Sequence, residues 1–193
     1  MTIREGELTI ETDDVDVAVI RFFQCFIAEI EKEDRELHEL FVRNKNKYDI
    51  SHGVWILYET TFVYLALKGA LRQNYPYRAM WERQYPNDSN KHADIGIVDQ
   101  NNKDLALIEF KFWYTKENKI EKEIAKLQTC ESCERYLIII GDDKCIYGES
   151  LYLTEKFKDL VFLTFDSVSS HIYQKELGKN DDFEIYISLY KVK

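Results

Sequence analysis

The sequence predicts an α/β fold, a central mixed β-sheet with helices on both of its faces. An almost uninterrupted apolar run, residues 136–141, is typical of a central strand that is covered on both sides. Two apolar, β-branched segments, residues 92–99 and 105–111, flank a polar turn and predict a hairpin. A helical pattern over residues 116–130 has the length of a crossover, so the strands that it joins should be parallel.

Two helices are predicted before the hairpin. Apolar residues recur at helical spacing over residues 15–40, so this segment should form a helix or a helical pair that packs on the core rather than on a partner. A second helix is predicted over residues 52–73, with Ser51 as its N-cap. Between residues 54 and 67 the second segment is almost wholly apolar, so this helix should be buried on most sides.

Three further strands are predicted around this core. Residues 78–85 read as the first strand of the sheet, with Trp81 and Arg83 on the same face. Residues 160–165 are predicted to form another strand. Residues 183–192 alternate apolar with polar or aromatic positions, which is typical of an edge strand near the C-terminus.

Length and composition bound the organisation of the chain. A chain of 193 residues with 45% hydrophobic residues suits one domain with a sizeable core. Only 2 Pro and 7 Gly are present, so no flexible linker is indicated. We therefore predict a single domain over residues 1–193, in which a helical N-terminal extension (1–48) and C-terminal strands that complete or extend the sheet (146–193) flank a core (50–145).

Hydropathy and cysteine usage predict a cytoplasmic protein. The chain opens with charged residues rather than with a signal peptide, and its longest apolar run, residues 54–67, is too short to span a bilayer. The 4 cysteines are too few for a secreted disulfide scaffold of this size. Cys130 and Cys133 form a CxxC pair, which we interpret as free thiols rather than as half of a metal or redox site.

Charged side chains interrupt the two apolar strands of the predicted hairpin. Asp94 lies on the first strand, and Glu109 and Lys111 lie on the second, on the same face as Leu105 and Leu107. Because burying unpaired charge is costly, such groups usually pair, bind a metal or line a cleft. Two carboxylates suit Mg²⁺, and a lysine beside the metal can orient or deprotonate a water. These are the components of metal-assisted phosphodiester hydrolysis; the alternative is a salt-bridged hairpin.

The motif Asp94, fourteen residues, Glu109-Phe110-Lys111 resembles that of the PD-(D/E)XK nuclease superfamily, which has the restriction-endonuclease-like fold. The resemblance covers about residues 50–145, and Ala93 stands where the family pattern has Pro, a variable position. It implies a restriction-endonuclease-like core in which Asp94 and Glu109 bind Mg²⁺ or Mn²⁺. It also implies that the backbone carbonyl of Phe110 is a further ligand and that Lys111 supports the attacking water.

The resemblance implies roles for residues on neighbouring elements. Glu59 is the single charge in the apolar helical segment, and the corresponding helix in several branches of the superfamily contributes a Glu to the metal site. Pairing with Lys111 or an Arg, without a metal, is an equally good reading of Glu59. Lys126 and Gln128 lie on the helix that often approaches the scissile phosphate in this superfamily. Glu82, on the first strand, is a candidate further carboxylate near the substrate.

Two functions remain open at this stage. The first is a Mg²⁺-dependent endonuclease, for which the resemblance implies DNA as the substrate rather than RNA. The second is a catalytically inactive nuclease-fold protein that binds or serves as a scaffold with a partner. The formal net charge of −9 argues against a large sequence-independent grip on nucleic acid and favours the second. A local basic cleft, or charge from a homodimer or a partner protein, would remove that objection to the first.

Overall fold

The computed structural model describes residues 14–44, 53–54, 57–113, 117–141, 152–174 and 179–193. Within these ranges, the elements in chain order are α1 (Asp14–Asn44), α2 (Glu59–Arg72), β1 (Arg78–Tyr85), β2 (Asp88–Val98), β3 (Asp104–Phe112), α3 (Glu117–Gln128), β4 (Glu134–Gly141), α4 (Tyr152–Lys156), β5 (Leu160–Gln174) and β6 (Lys179–Val192). None of the helices in these ranges combines the length and the apolar character that crossing a bilayer requires.

The strands form one mixed sheet of 6 strands in the order β1-β2-β3-β4-β6-β5. β3 and β4 are parallel, and every other neighbouring pair is antiparallel. Helix α3 connects the two parallel strands, as a crossover must, because the chain has to return to the starting edge between them. The predicted α/β class, the hairpin and the parallel crossover are therefore confirmed.

The two faces of the sheet are covered by different helices. On the first face, α1 and α2 pack in a core cluster with inward residues of β2, β3, β4 and β6, such as Ile108, Ile138 and Ile187. On the second face, α3 and α4 pack against Leu107, Leu137 and other residues of a second cluster. Helices on both sides explain why β4 is buried at every position from residue 136 to residue 141.

Helix α1 is one continuous helix of 31 residues whose apolar stripe faces the first core cluster. Val19, Phe22, Phe26 and Ile30 recur at spacings of three and four residues and are fully buried. The hydroxyl group of Tyr75, just after α2, donates a hydrogen bond to the backbone oxygen of Ala18 at 2.9 Å. The structure thus places the predicted N-terminal helix on the core.

Removing that hydroxyl group tests how firmly α1 is held. Tyr75→Phe should lower the free energy of unfolding by about 1 kcal/mol, because a buried hydrogen bond is lost while the ring stays in place. Urea denaturation of the variant measures this change. Tyr64→Phe, at a side chain that is 49% exposed, is the matched control and should change stability by less than about 0.5 kcal/mol. Equal effects of the two variants would contradict an anchoring role for Tyr75.

The prediction that α2 begins at residue 52 is wrong, because the helix begins at Glu59. Ser51, the predicted N-cap, lies outside the described residues. Gly53 has φ +105°, and a Cβ atom there would lie 2.3 Å from the backbone oxygen of His171. The backbone N–H of Val54 donates to the carboxylate of Asp34 at 2.9 Å rather than to a helical carbonyl. A left-handed glycine and an outside acceptor therefore delay the start of the helix.

The prediction that the last strand is an edge strand is also wrong. β6 lies between β4 and β5, and β5 is the edge strand and runs to Gln174 rather than ending at Phe165. The alternate positions of β6 are apolar or aromatic because both of its faces are covered. Ile187 faces the first core cluster, whereas Tyr186 and Tyr190 face the second.

The predicted arrangement of side chains on β1 fails at Arg83. Glu82 has φ 49°, a left-handed conformation that interrupts the alternation of faces along the strand. Trp81 pairs with Ile95, but the Arg83 side chain lies over Gly96, and its guanidinium group contacts the sulfur atom of Met80 at 3.7 Å. Arg83 therefore shares a face with Met80, not with Trp81.

Candidate active site

Strands β2 and β3 bring Asp94 beside the Glu109-Phe110-Lys111 segment. Backbone pairing of the two strands includes Ile95 with Ile108. Asp94 directly precedes Ile95, and its carboxylate accepts a hydrogen bond from the backbone N–H of Phe110 at 2.8 Å. This side-chain contact fixes Asp94 next to the residues that follow Ile108. The sequence-predicted trio of Asp94, Glu109 and Lys111 is therefore brought to one place.

Strand β3 directs the side chains of Glu109 and Lys111 toward the second face of the sheet. Leu107 belongs to the second core cluster, and Glu109 and Lys111 follow it at intervals of two residues. Leu105 was predicted to lie on the same face, but it packs against the first cluster instead. The register of β2 and β3 shifts between Ile97 and Val98, and this irregularity next to Leu105 reverses the direction of its side chain.

Glu109 is a carboxyl group in an almost fully buried position, with a relative exposure of 1%. One of its oxygens accepts hydrogen bonds from the hydroxyl group of Tyr85 at 2.9 Å and from the ammonium group of Lys126 at 2.6 Å. Burial raises the pKa of Glu109, the negative charge of Asp94 raises it further, and Lys126 opposes both, so that the pKa reaches about 8. In the absence of a further cation, Glu109 is therefore mainly protonated at neutral pH.

The positive charge of Lys111 is stabilised by neighbouring carboxylates. Its ammonium group lies 2.8 Å from a carboxylate oxygen of Glu59 and 3.7 Å from one of Glu123. Burial by itself lowers the pKa of Lys111, but the hydrogen bond and charge of Glu59 and the charges of Glu123 and Asp94 raise it above its ordinary value. Lys111 is therefore suited to orienting groups and neutralising negative charge, and not to removing a proton from water.

Glu59 occupies the first position of α2, at the end of the helix closest to Lys111. Of the two readings of this residue, pairing with Lys111 is the contact that the structure contains. An acidic side chain in the first turn is also favoured there because the N-terminus of a helix carries partial positive charge.

Sequence reasoning missed two residues that contact these side chains, Glu123 and Tyr85. Glu123 of α3 lies between the two lysines, with its oxygens 3.7 Å from Lys111 and 3.6 Å from Lys126. Its oxygen Oε2 is buried and has no hydrogen-bond partner among the described residues. Its position, one turn before Lys126 on the same helix, was a usable signal. Tyr85, at the end of β1, carried no comparable signal.

The remaining predicted site residues differ in how close they come to this cluster. Lys126 belongs to it, through Glu109. The side chain of Gln128 instead donates to the backbone oxygen of Lys193 at 3.2 Å, away from the cluster. Glu82 is exposed, on β1 between the residues that pair with Ile95 and Ala93, so it is level with Asp94 on the neighbouring strand. We refer to the six clustered residues as the carboxylate–lysine cluster: Glu59, Asp94, Glu109, Lys111, Glu123 and Lys126.

The charges of the carboxylate–lysine cluster are suited to a divalent cation. It holds four carboxyl and two ammonium groups, which leave an excess of two negative charges when all are ionised. No three His, Cys, Asp or Glu side chains in the described ranges converge closely enough to form a metal cage. Mg²⁺, however, commonly takes one or two carboxylates and keeps several waters. Asp94 and Glu109, with the backbone of Phe110, fit such a ligand set.

The geometry of the carboxylate–lysine cluster is the observation from which a function can be inferred. No family model matches the chain, and neither a curated protein nor a solved structure matches it. A function is therefore inferred from the positions, burial and charges of these side chains.

Proposed function

We propose that the chain is a Mg²⁺-dependent nuclease with a restriction-endonuclease-like core, which hydrolyses phosphodiester bonds in DNA rather than RNA. The observation that carries the proposal is the contact of the Asp94 carboxylate with the backbone of Phe110, between Glu109 and Lys111. Through this contact the residues of the PD-(D/E)XK-like motif lie together in space, which their spacing in the sequence alone does not establish. The parallel β3-α3-β4 unit, and the position of Glu59 on the preceding helix α2, also agree with the order of helices and strands that the resemblance implies. The preference for DNA rests on the resemblance.

In this mechanism Asp94, Glu109 and the backbone carbonyl of Phe110 would hold a divalent cation, which would supply Lewis-acid activation of the phosphate and of water. Glu109 would be a ligand in its ionised form, and Lys126, 2.6 Å away, would compensate that negative charge. Lys111 is a fixed ammonium group that orients the attacking water and balances negative charge that develops on the phosphate. Glu59, through its 2.8 Å contact, holds the Lys111 side chain in position for that task.

The direct test is a cleavage assay across substrates and cations. Purified protein is incubated with supercoiled, linear and branched DNA and with RNA, in Mg²⁺, Mn²⁺ or EDTA. We expect DNA cleavage with either cation and none in EDTA. An Asp94→Asn preparation, purified in parallel, controls for contaminating nucleases. RNA cleavage without DNA cleavage would replace the proposed substrate, and no cleavage of any substrate at saturating cation would reject the nuclease.

A second candidate function is a nuclease-fold protein without catalysis that binds together with a partner. The net charge of −9 favours it, as do the existing ion pairs of both lysines, which balance part of the charge without a metal. Isothermal titration calorimetry with Mg²⁺ and Mn²⁺ distinguishes the two functions. The nuclease predicts heat of binding that disappears in Asp94→Asn, whereas the inactive protein predicts no such heat.

A further inference from the structure

A pair of thiols lies directly after α3, outside the carboxylate–lysine cluster. The sulfur atoms of Cys130 and Cys133 are 2.8 Å apart, and neither is in a disulfide. This separation is shorter than ordinary contact between two sulfur atoms and longer than the bond of about 2.05 Å in a disulfide. Cys130 is 1% exposed and Cys133 is partly exposed. Only a small movement of either side chain is therefore needed to join the two sulfurs.

A pocket of about 230 Å³ gives access to Cys133 of this thiol pair. Cys133 is part of its lining, beside side chains of both charges that include Lys103, Asp104 and Arg135. The positive charges of Lys103 and Arg135 would attract a carboxylate of a ligand, and the acidic side chains of the lining would match its ammonium group. The pocket is thus suited to a small zwitterion, and its lining includes none of the six residues of the carboxylate–lysine cluster.

We propose that Cys130 and Cys133 are a redox site that is converted to an intramolecular disulfide by a small zwitterionic disulfide of the glutathione class bound in this pocket. Cys133 reacts first because it lines the pocket and is the more exposed of the two. Cys130, in contact with Cys133, then completes the disulfide.

The reaction is two successive thiol–disulfide exchanges. Cys133 loses its proton, its sulfur bonds to one sulfur of the small disulfide, and the other half leaves as a thiolate that takes up a proton. Cys130 loses its proton and attacks the Cys133 sulfur, and the second half leaves as a thiol in the same way. The two cysteine sulfurs together lose two electrons, and the small disulfide gains them. Two molecules of the small thiol reverse these steps, and a dithiol reduces the protein disulfide by two analogous exchanges in which the dithiol itself is oxidised.

The environment of Cys133 determines the rate of the exchange reaction. Burial raises the pKa of the Cys133 thiol, the hydrogen bond and charge of Cys130 and the charge of Asp104 add to this, and Arg135 opposes them. The thiolate is therefore scarce at neutral pH, and the exchange should take minutes to hours rather than seconds.

Peptide mapping after incubation with glutathione disulfide tests the proposal. Trypsin cuts after Lys126 and Arg135, so a single peptide contains both cysteines. After alkylation of the remaining thiols, we expect this peptide to be lighter by two hydrogens and unalkylated, and dithiothreitol should restore alkylation. The wild type and a Cys25→Ala/Cys145→Ala variant are mapped in parallel, so that misfolding of the variant leaves a valid reading. A peptide that stays fully alkylated, or that keeps a stable glutathione adduct, would overturn the disulfide.

The ligand class is tested with a charge change in the pocket. Lys103→Glu should slow oxidation by glutathione disulfide about 2- to 5-fold, the size of effect that one exposed ion pair gives. Oxidation by hydroxyethyl disulfide, which has no charged groups, should be unchanged. Lys119→Glu, at an exposed lysine of α3, is the matched control for net charge and should affect neither reagent. Equal rates of wild type and Lys103→Glu with both reagents, or equal slowing with both, would overturn the zwitterion.

Discussion

Replacing Asp94 by Asn is expected to lower the rate of DNA cleavage by at least about 10²-fold, because one anionic ligand of the divalent cation is lost. The amide oxygen of Asn can still accept the hydrogen bond from the Phe110 backbone, so the fold should be retained. Initial rates on plasmid DNA at saturating Mg²⁺ measure the effect. Asp88→Asn is the matched control, because Asp88 pairs with Lys91 at the start of β2, outside the carboxylate–lysine cluster. Unchanged cleavage by Asp94→Asn, with contaminating nucleases excluded, would contradict the role of Asp94 as a ligand that the reaction needs.

Lys111→Met should reduce cleavage to a similar extent for a different reason. Methionine keeps much of the side-chain volume but removes the ammonium group that faces Glu59 and Glu123. The cation-binding carboxylates remain, so calorimetry should still show heat with Mg²⁺. Lys119→Met, on the exposed side of α3, should cleave at the wild-type rate. If Lys111→Met lost both cation binding and cleavage, the role of Lys111 would be to organise the ligands instead of acting on water or phosphate.

A large effect is also expected on the free energy of unfolding, which should depend on pH in the absence of metal. The pKa of Glu109 is raised to about 8 in the folded protein from an ordinary value of 4.5, so the folded state binds more protons than the unfolded state between these values. The free energy of unfolding of the wild type should therefore fall as pH rises through this window. Glu109→Gln removes the ionisation, so its stability relative to wild type should rise by on the order of 4 kcal/mol between pH 4.5 and 9.

Urea denaturation in EDTA at several pH values measures this difference. Glu121→Gln removes an exposed carboxyl group from α3 and is the matched control, without a rise of that size. Adding Mg²⁺ should stabilise the wild type more strongly as pH rises, since the cation binds the ionised carboxylate, and should do little for Glu109→Gln. A stability difference that is flat with pH would mean that Glu109 ionises in the folded state as freely as in the unfolded chain.

The core of the site could be predicted from sequence because its charges interrupt apolar strands. Asp94, Glu109 and Lys111 stand out in β2 and β3, and the crossover length of α3 predicted that β3 and β4 are parallel. Glu123 was harder to recognise, because a charge on a helix surface and a charge in a cleft have the same spacing pattern.

Features that depend on distant parts of the chain could not be read locally. The central position of β6 results from pairing with both β4 and β5. Its tyrosines fitted a solvent-facing edge as well as they fitted a buried face. The late start of α2 depends on the space around Gly53, which residues of β5 fill.

Asp34 has a consequence for how the site folds. This buried carboxylate accepts hydrogen bonds from the backbone of Val54, from the hydroxyl group of Ser170 and from the backbone of His171. It therefore joins α1, the segment just before α2, and the far edge of the sheet. Because Glu59 follows Val54 by five residues, the outermost strand helps to fix the position of a residue beside the candidate cation site. Local opening of that strand and disorder of the site should thus occur as one cooperative event.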